Sequence, residues 1–310
     1  MSNGIRNLVI SVPSEELASD IGPVPEGVDV VVWPMDGPAP REHFDIVVPP
    51  YMSMARVLER LEGVSVGFVQ GQSIGYEGVD AMLPAGLPFA NAASVHETST
   101  AELALALILA AQRHIPAFVR AQDEHRWAPA FAESLADRRV LLLGYGGVGK
   151  AVAARLAPFE THVTAVASRA RVEDGVQVHA IDEIGALLPE AEIVILTLPG
   201  GDSTRHLADT AFLAALPDGA LVVNVGRGSL VDTDALVAEV SSGRLRAALD
   251  VTEPEPLPQD HPLWSLPGVL IAPHVGGASS AMRPRIAKLV RAQIERAVAG
   301  EPPLNIVIGG

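Results

Sequence analysis

Val140-Leu141-Leu142-Leu143-Gly144-Tyr145-Gly146-Gly147-Val148-Gly149-Lys150-Ala151 is the stretch from which the rest of the chain is read. Four apolar residues in a row suit a buried strand, and the apolar segment 148–156 suits a helix. Between them stands G-x-G-x-x-G, in the strand–turn–helix context that gives the pattern its meaning. Gly144 makes the tight turn, Gly146 lets the backbone approach a pyrophosphate, and Gly149 lets helix and strand pack closely. The helix start, at Gly147, Val148 and Gly149, offers open N–H groups to the anion. Gly144 to Lys150 also fits the phosphate loop of nucleotide triphosphatases. There, however, Ala151 stands where a hydroxyl should reach magnesium. The turn therefore predicts a dinucleotide site on a parallel α/β sheet.

Strand-like runs and helix-like stretches alternate on both sides of this turn. An N-terminal series lies at 8–12, 28–33, 46–48 and 64–69. A second series of six lies at 140–143, 163–167, 193–198, 221–225, 247–251 and 269–272. The expected fold is α/β with two doubly wound parallel-sheet domains, a Rossmann cofactor domain inserted into a flavodoxin-like substrate domain. The boundaries read as 1–95 and 280–310 for the substrate domain and 96–279 for the cofactor domain. Ser99-Thr100-Ala101-Glu102 reads as a capping box opening an apolar helix that runs to about Arg113. With almost no polar face, that helix needs burial on most sides, between the two α/β units or at a subunit interface. A last helix, near 279–298, returns the chain to the first domain.

At 310 residues, with 48% hydrophobic and 19% charged side chains, the chain has a folded composition and room for two domains. It has no cysteine, which excludes disulfides, thiolate metal sites and cysteine nucleophiles, and no metal site is expected. The net charge of -15, with Lys150 and Lys288 the sole lysines, argues against nucleic acid as a partner. The longest apolar run, 103–111, is too short for a membrane span. Residues 1–6 carry no secretory pattern, so a cytoplasmic protein is expected.

The end of the second cofactor-domain strand selects between nicotinamide cofactors. An acidic residue there would hold the ribose hydroxyls of NAD, and basic residues would accommodate a 2′-phosphate. Here the turn is Ser168-Arg169-Ala170-Arg171, with no Asp or Glu. A guanidinium pairs bidentately with phosphate and a serine hydroxyl donates beside it. NADP is the expected cofactor, with NAD possible.

Ligands of a doubly wound sheet sit beyond the carboxyl ends of its strands. Three consecutive strand ends carry reactive groups: Arg227 in Asn224-Val225-Gly226-Arg227-Gly228, Glu255 after Asp250-Val251-Thr252, and His274 in Ala272-Pro273-His274-Val275-Gly276-Gly277. Reducing a 2-keto acid needs a proton donor for the forming alkoxide and a cation for the carboxylate. Imidazole exchanges a proton near neutral pH, a neighbouring carboxylate favours its charged form, and arginine's planar fork suits a carboxylate. Read singly, a lone histidine is more often structural, and an Arg–Glu pair is often a surface ion pair. Their common position is what singles them out.

These residues, in this order, resemble the D-isomer-specific 2-hydroxyacid dehydrogenase family over nearly the whole chain, glyoxylate/hydroxypyruvate reductases most of all. The resemblance implies that Arg227 orients the substrate, that His274 is the acid/base and that Glu255 pairs with it. It implies that Asp250 contacts the nicotinamide carboxamide. It further implies that Leu198, Pro199, Thr204, Val225, Gly226 and Gly276 line the cofactor, although Gly200 and Gly201 replace a usual Leu-Thr. Ser73-Ile74-Gly75 resembles the loop whose N–H groups hold the substrate carboxylate, with Ile74 and Gly75 as donors. Glu77 stands where an Asp is usual, and Tyr51, Met52 and Met54 suit either pocket or core. Trp127 matches a tryptophan that some relatives lend to the neighbouring subunit. The implied protein is a homodimer acting on a small 2-keto or 2-hydroxy acid.

Formate dehydrogenases carry Gln where Glu255 stands, and phosphite dehydrogenases use a lysine that 70–79 lacks. Short-chain dehydrogenases need a Tyr-x-x-x-Lys pair that none of Tyr51, Tyr76 or Tyr145 supplies. The same fold also serves dinucleotide-sensing corepressors, the C-terminal-binding proteins. A binding module of that kind is the alternative reading.

Overall fold

A computed structural model describes residues 7–51 and 54–309. The chain forms two units, one of residues 1–96 and 279–310 and one of Glu97–Ala278. Among the described residues the strands are, in chain order, β1 (Leu8–Val12), β2 (Val28–Val32), β3 (His43–Val47), β4 (Ser65–Gln70), β5 (Phe89–Ala90), β6 (Arg139–Leu143), β7 (His162–Ala167), β8 (Arg171–Glu173), β9 (Val176–Ala180), β10 (Ile193–Leu196), β11 (Leu221–Asn224), β12 (Arg246–Leu249), β13 (Val269–Ile271) and β14 (Ile306–Ile308).

In the first unit the sheet runs β14-β5-β4-β3-β1-β2, parallel except where β14 meets β5. Helices Glu15–Ile21 and Met282–Ala299 carry Leu17, Ile21, Ile286 and Val290 into one apolar layer with Ile10, Val12 and Ile46. The opposite layer holds Met35, Leu58, Leu61 and Phe89, with Trp33 stacked on Phe44 at 5.5 Å between centroids.

The second unit has the sheet β13-β12-β11-β10-β6-β7-β9-β8. Its central strands β10 and β11 are apolar at nearly every position because a parallel sheet is covered on both faces, and Ile193–Leu196 and Leu221–Asn224 are buried throughout. The order reverses between β10 and β6, so the chain leaves β6 in one direction and β10 lies on its other side. A crevice at the carboxyl ends of the strands forms at such a point.

Eight strands stand where the sequence predicts six. The added pair is the hairpin β8–β9, joined by Asp174-Gly175 with φ of +50° and +81°, both in the left-handed region that a two-residue hairpin turn demands. β9 joins the sheet parallel to β7 and buries Val178, while Gln177 and His179 alternate with it.

The apolar helix also departs from expectation. It spans Glu97–Gln112, so Ser99 and Thr100 lie inside its first turns, 4% and 8% exposed, and do not form a capping box. Glu102 turns instead toward Arg155, 3.9 Å away. Burial of Ala101, Ala104, Leu105 and Ile108 against Leu142, Val152 and Val223 fixes this helix by packing, and Glu97 supplies the acidic first turn.

Candidate active site

Two glycines of the turn after β6 are required by the fold itself, and a third is not. Gly144 adopts φ +102°, a conformation that side chains rarely take. A Cβ at Gly149 would overlap the carbonyl oxygen of Gly144, so strand and helix could not close. At Gly146 a Cβ would meet nothing within 4 Å. The protein's own packing does not call for glycine there, whereas an approaching phosphate would. The helix Gly147–Leu156 begins at Gly146 without a side-chain cap, and Thr197 fastens the turn from β10 through its hydroxyl, 2.9 Å from the Gly144 carbonyl. Exposed glycine backbone at an uncapped helix start fits a pyrophosphate.

Beyond β7, Ser168 and Arg169 are exposed. Arg171, by contrast, is already engaged. Its Nε lies 2.8 Å from Glu173 and its second guanidinium nitrogen 3.1 Å from the carbonyl of Tyr145 in the glycine turn. The open bidentate fork expected at Arg171 is not what the fold presents, because the β8–β9 hairpin brings in a carboxylate from outside the 168–171 turn. Lys150 reaches the other oxygen of Glu173 at 2.5 Å.

The three strand ends converge electrostatically. His274 sits in the left-handed region, φ +53°, after β13. Its Nδ1–H donates to Glu255, which leaves Nε2 as the nitrogen able to exchange a proton. The hydrogen bond and charge of Glu255 raise the His274 pKa, against burial and the charge of Arg227. Burial alone would raise Glu255; the bond from His274 and the charges of His274 and Arg227 outweigh it, and the Glu255 pKa is lowered. Arg227 is half-buried at the end of β11, with a guanidinium nitrogen 2.7 Å from the carbonyl of Gly226. Asn224 shapes that turn, accepting from Gly226 N–H at 3.1 Å and donating to the Arg227 carbonyl at 2.8 Å.

Asp250 has a role that the sequence did not reveal. Its carbonyl accepts from His274 N–H at 2.7 Å, and its two carboxylate oxygens accept from Val275 at 2.7 Å and Gly276 at 2.9 Å. Three successive amides thus close on one residue that is 4% exposed. Burial raises its pKa, against the two backbone bonds. A Cβ at Gly276 would stand 2.8 Å from the Asp250 carboxylate, which explains that glycine.

The remaining cofactor candidates line the same edge. Val225 and Gly226 are buried, and a Cβ at Gly226 would lie 2.7 Å from the Leu198 carbonyl. Thr204 folds its loop by donating to the Pro199 carbonyl at 2.8 Å. Glu253 then ties the loop after β10 to the loop that bears Glu255, pairing with Arg205 and His206 at 2.7 Å each. Nothing in the sequence pointed to that tie across 47 residues.

In the other unit, the Ser73 carbonyl accepts from Ala92 N–H at 2.9 Å and the Ile74 carbonyl from Asn91 at 2.8 Å. In a trans peptide the next N–H points the opposite way, so the amides of Ile74 and Gly75 face away from these partners. Among the described residues neither has an acceptor. Buried His96 donates from Nε2 to the Gln72 carbonyl at 2.6 Å and stacks on Tyr51 at 5.7 Å. Met54 opens a short helix and packs against the core around Phe44, and Met52 lies outside the described residues. Trp127 and Phe131 are 96% and 104% exposed in a stretch without regular structure.

Comparison with known proteins meets this geometry from another side. The family model of the D-isomer specific 2-hydroxyacid dehydrogenase NAD binding domain matches residues 105–276, more than half of the chain. D-3-phosphoglycerate dehydrogenase of Mycobacterium bovis is 35% identical over 240 residues, covering 75% of this chain and 45% of its own. The chain therefore spans less than half of that relative. Glyoxylate/hydroxypyruvate reductase B of Pectobacterium atrosepticum is 32% identical over 245 residues, covering 76% of this chain and 77% of its own. The D-isomer specific 2-hydroxyacid dehydrogenase of Xanthobacter autotrophicus Py2, solved in complex with NADPH and MES, superposes with a TM-score of 0.81 at 30% identity over 98% of both chains. The family model, the sequence identities and the superposition agree, and the chain belongs to the D-isomer specific 2-hydroxyacid dehydrogenase family.

Proposed function

We propose that the protein is an NADP-preferring reductase of small 2-keto acids of the glyoxylate and hydroxypyruvate kind, working in reverse as a D-2-hydroxyacid dehydrogenase. The observation that carries this reading is the His274–Glu255 pair within the electrostatic reach of Arg227 at the carboxyl edge of the dinucleotide-type sheet. Bound nicotinamide dinucleotide supplies the hydride. His274, held charged by Glu255, gives its Nε2 proton to the forming alkoxide. Arg227 takes the substrate carboxylate and polarises the adjacent carbonyl. The amides of Ile74 and Gly75, without an acceptor among the described residues, are proposed donors to a carboxylate. Ser168 and Arg169 support NADP, and the relative from Xanthobacter autotrophicus was solved with NADPH.

A second copy of the chain is the proposed partner. Ile115, Val119, Trp127 and Phe131, exposed by 47% to 104%, succeed one another along one stretch of chain, and a partner surface would cover them.

The test is NADPH oxidation with glyoxylate, hydroxypyruvate and phenylpyruvate. His274→Ala is expected to lower turnover by about 10²-fold or more, the range of general acid catalysis. Near-normal turnover of that variant would falsify the role of His274. Silence of the wild type with every substrate would favour a dinucleotide-sensing binder.

A further inference from the structure

The β8–β9 hairpin places a carboxylate among the cations next to the expected phosphate site. Arg171 and Glu173 are two apart on a strand and so share one face, while Val172 between them is 70% exposed on the other. The Glu173 carboxylate is used at both oxygens, by Lys150 from the helix behind the glycine turn and by Arg171 from its own strand. Arg171 spends its remaining edge on the carbonyls of Tyr145 and Arg169, at 3.1 and 3.4 Å. The mutual bonds raise the Lys150 pKa and lower that of Glu173, as expected of a closed ion pair. Asp174, at the turn, adds a second negative charge felt by Lys150. Two cations therefore face two carboxylates. Arg169, exposed and without an ion-pair partner among the described residues, is the cation left over.

We infer that Glu173 is a specificity-determining residue: an internal carboxylate that competes with the adenosine 2′-phosphate for Arg171 and so sets how far NADP is preferred over NAD. A phosphate dianion gains most from a guanidinium fork, and a carboxylate fits the same fork. Arg169 and Ser168 supply one cation and one hydroxyl at the end of β7. The second cation reaches the phosphate when Arg171 exchanges its Glu173 bond for a phosphate bond. NADH, with two ribose hydroxyls and no phosphate, leaves the Glu173–Arg171 pair intact. The exchange makes NADP binding weaker than the number of basic residues implies and keeps NAD usable.

This inference concerns the same site as the proposed NADP preference and rests on its location, but not on the sign of the preference. The test is equilibrium binding of NADPH and NADH to the full chain, followed by cofactor fluorescence, for the wild type, Glu173→Gln, Glu173→Thr and Arg169→Ala. Gln keeps size and hydrogen bonding, and Thr suits a strand should Gln disturb the hairpin. Because the ion pair is part-exposed, freeing Arg171 is expected to raise the ratio of NADH to NADPH dissociation constants by about five- to tenfold, less at high salt. An unchanged ratio, a lower one, or an equal gain for both cofactors overturns the role of Glu173. If the wild type favours NADH and the Glu173 variants still shift the ratio toward NADPH, the preference fails while the competition stands. If Arg169→Ala weakens NADPH and the Glu173 variants shift nothing, the preference keeps its support and the competition is wrong.

Discussion

Glu255→Gln isolates charge from shape at the acid–base pair. Gln fills the same space and still presents an oxygen to the Nδ1–H of His274, so the ring keeps its orientation. Without the carboxylate, the influences left on His274 are burial and Arg227, which lower its pKa, and Asp250, which raises it. Reduction of a keto acid uses the protonated ring. That form is populated below the pKa and lost as pH climbs through it, so the basic limb of the reductive kcat/KM profile moves to lower pH. Oxidation uses the neutral ring, and its acidic limb moves the same way. A charge-assisted hydrogen bond exceeds a neutral one by about 1 kcal/mol, and the two side chains are 42% and 41% exposed, which keeps the effect at the lower end through screening. On the basic side of the profile, reductive kcat/KM should fall by about fivefold. At pH well below the limb it should fall less, and oxidation at low pH should improve. The assay is initial-rate kinetics in both directions across about pH 5 to 9, the range in which imidazole titrates. Limbs that stay in place, or shift toward higher pH, would show that the Glu255 charge does not govern the proton on His274.

Two glycines of the turn are expected to respond in opposite ways. Gly149→Ala forces a Cβ onto the Gly144 carbonyl and should cost about 1–3 kcal/mol, seen as a lower melting temperature without any ligand. Gly146→Ala meets open space, so thermal unfolding of the unliganded protein should change by less than about 0.5 kcal/mol while calorimetric affinity for the dinucleotide drops. Equal behaviour of the two variants would contradict the division of roles. Replacing Trp127 and Phe131 together by Glu should shift sedimentation velocity from a two-chain to a one-chain species. A wild type that already sediments as one chain would remove the proposed partner.

The parts of the fold that could be read directly are those whose cause is local. Gly144 needs its left-handed φ, Gly149 sits against backbone, and β10 and β11 are apolar at nearly every position because both faces are covered. β8 and β9 went unread because they are short, polar at alternate positions and at the sheet edge, where no continuous apolar run is required. Asp174-Gly175 was the available signal, a hairpin dipeptide between two alternating segments. The Ser99–Glu102 pattern misled for the converse reason. A cap motif is a local preference, and the buried face around Ala101 and Ala104 outweighs it.

At the site, the positions of Arg227, Glu255 and His274 were legible because parallel strands all end at one edge, and a residue just past a strand end has few other places to be. The groups that hold them were not, because they depend on distances across the sheet. Asp250 is the clearest case. His274 has a left-handed backbone that costs a side-chain-bearing residue about 1–2 kcal/mol, and it persists only where neighbours over-determine it. Three amides, from His274, Val275 and Gly276, converge on Asp250, and they are what over-determines it. Burial raises the Asp250 pKa against the two amide bonds that favour its charged form, so the carboxylate serves the backbone it fixes rather than stability. An ionised carboxylate has about four acceptor sites, and two amides leave the others for a further donor such as a carboxamide. Holding the backbone of His274, Val275 and Gly276 therefore leaves Asp250 with acceptor capacity for the proposed contact with a nicotinamide carboxamide.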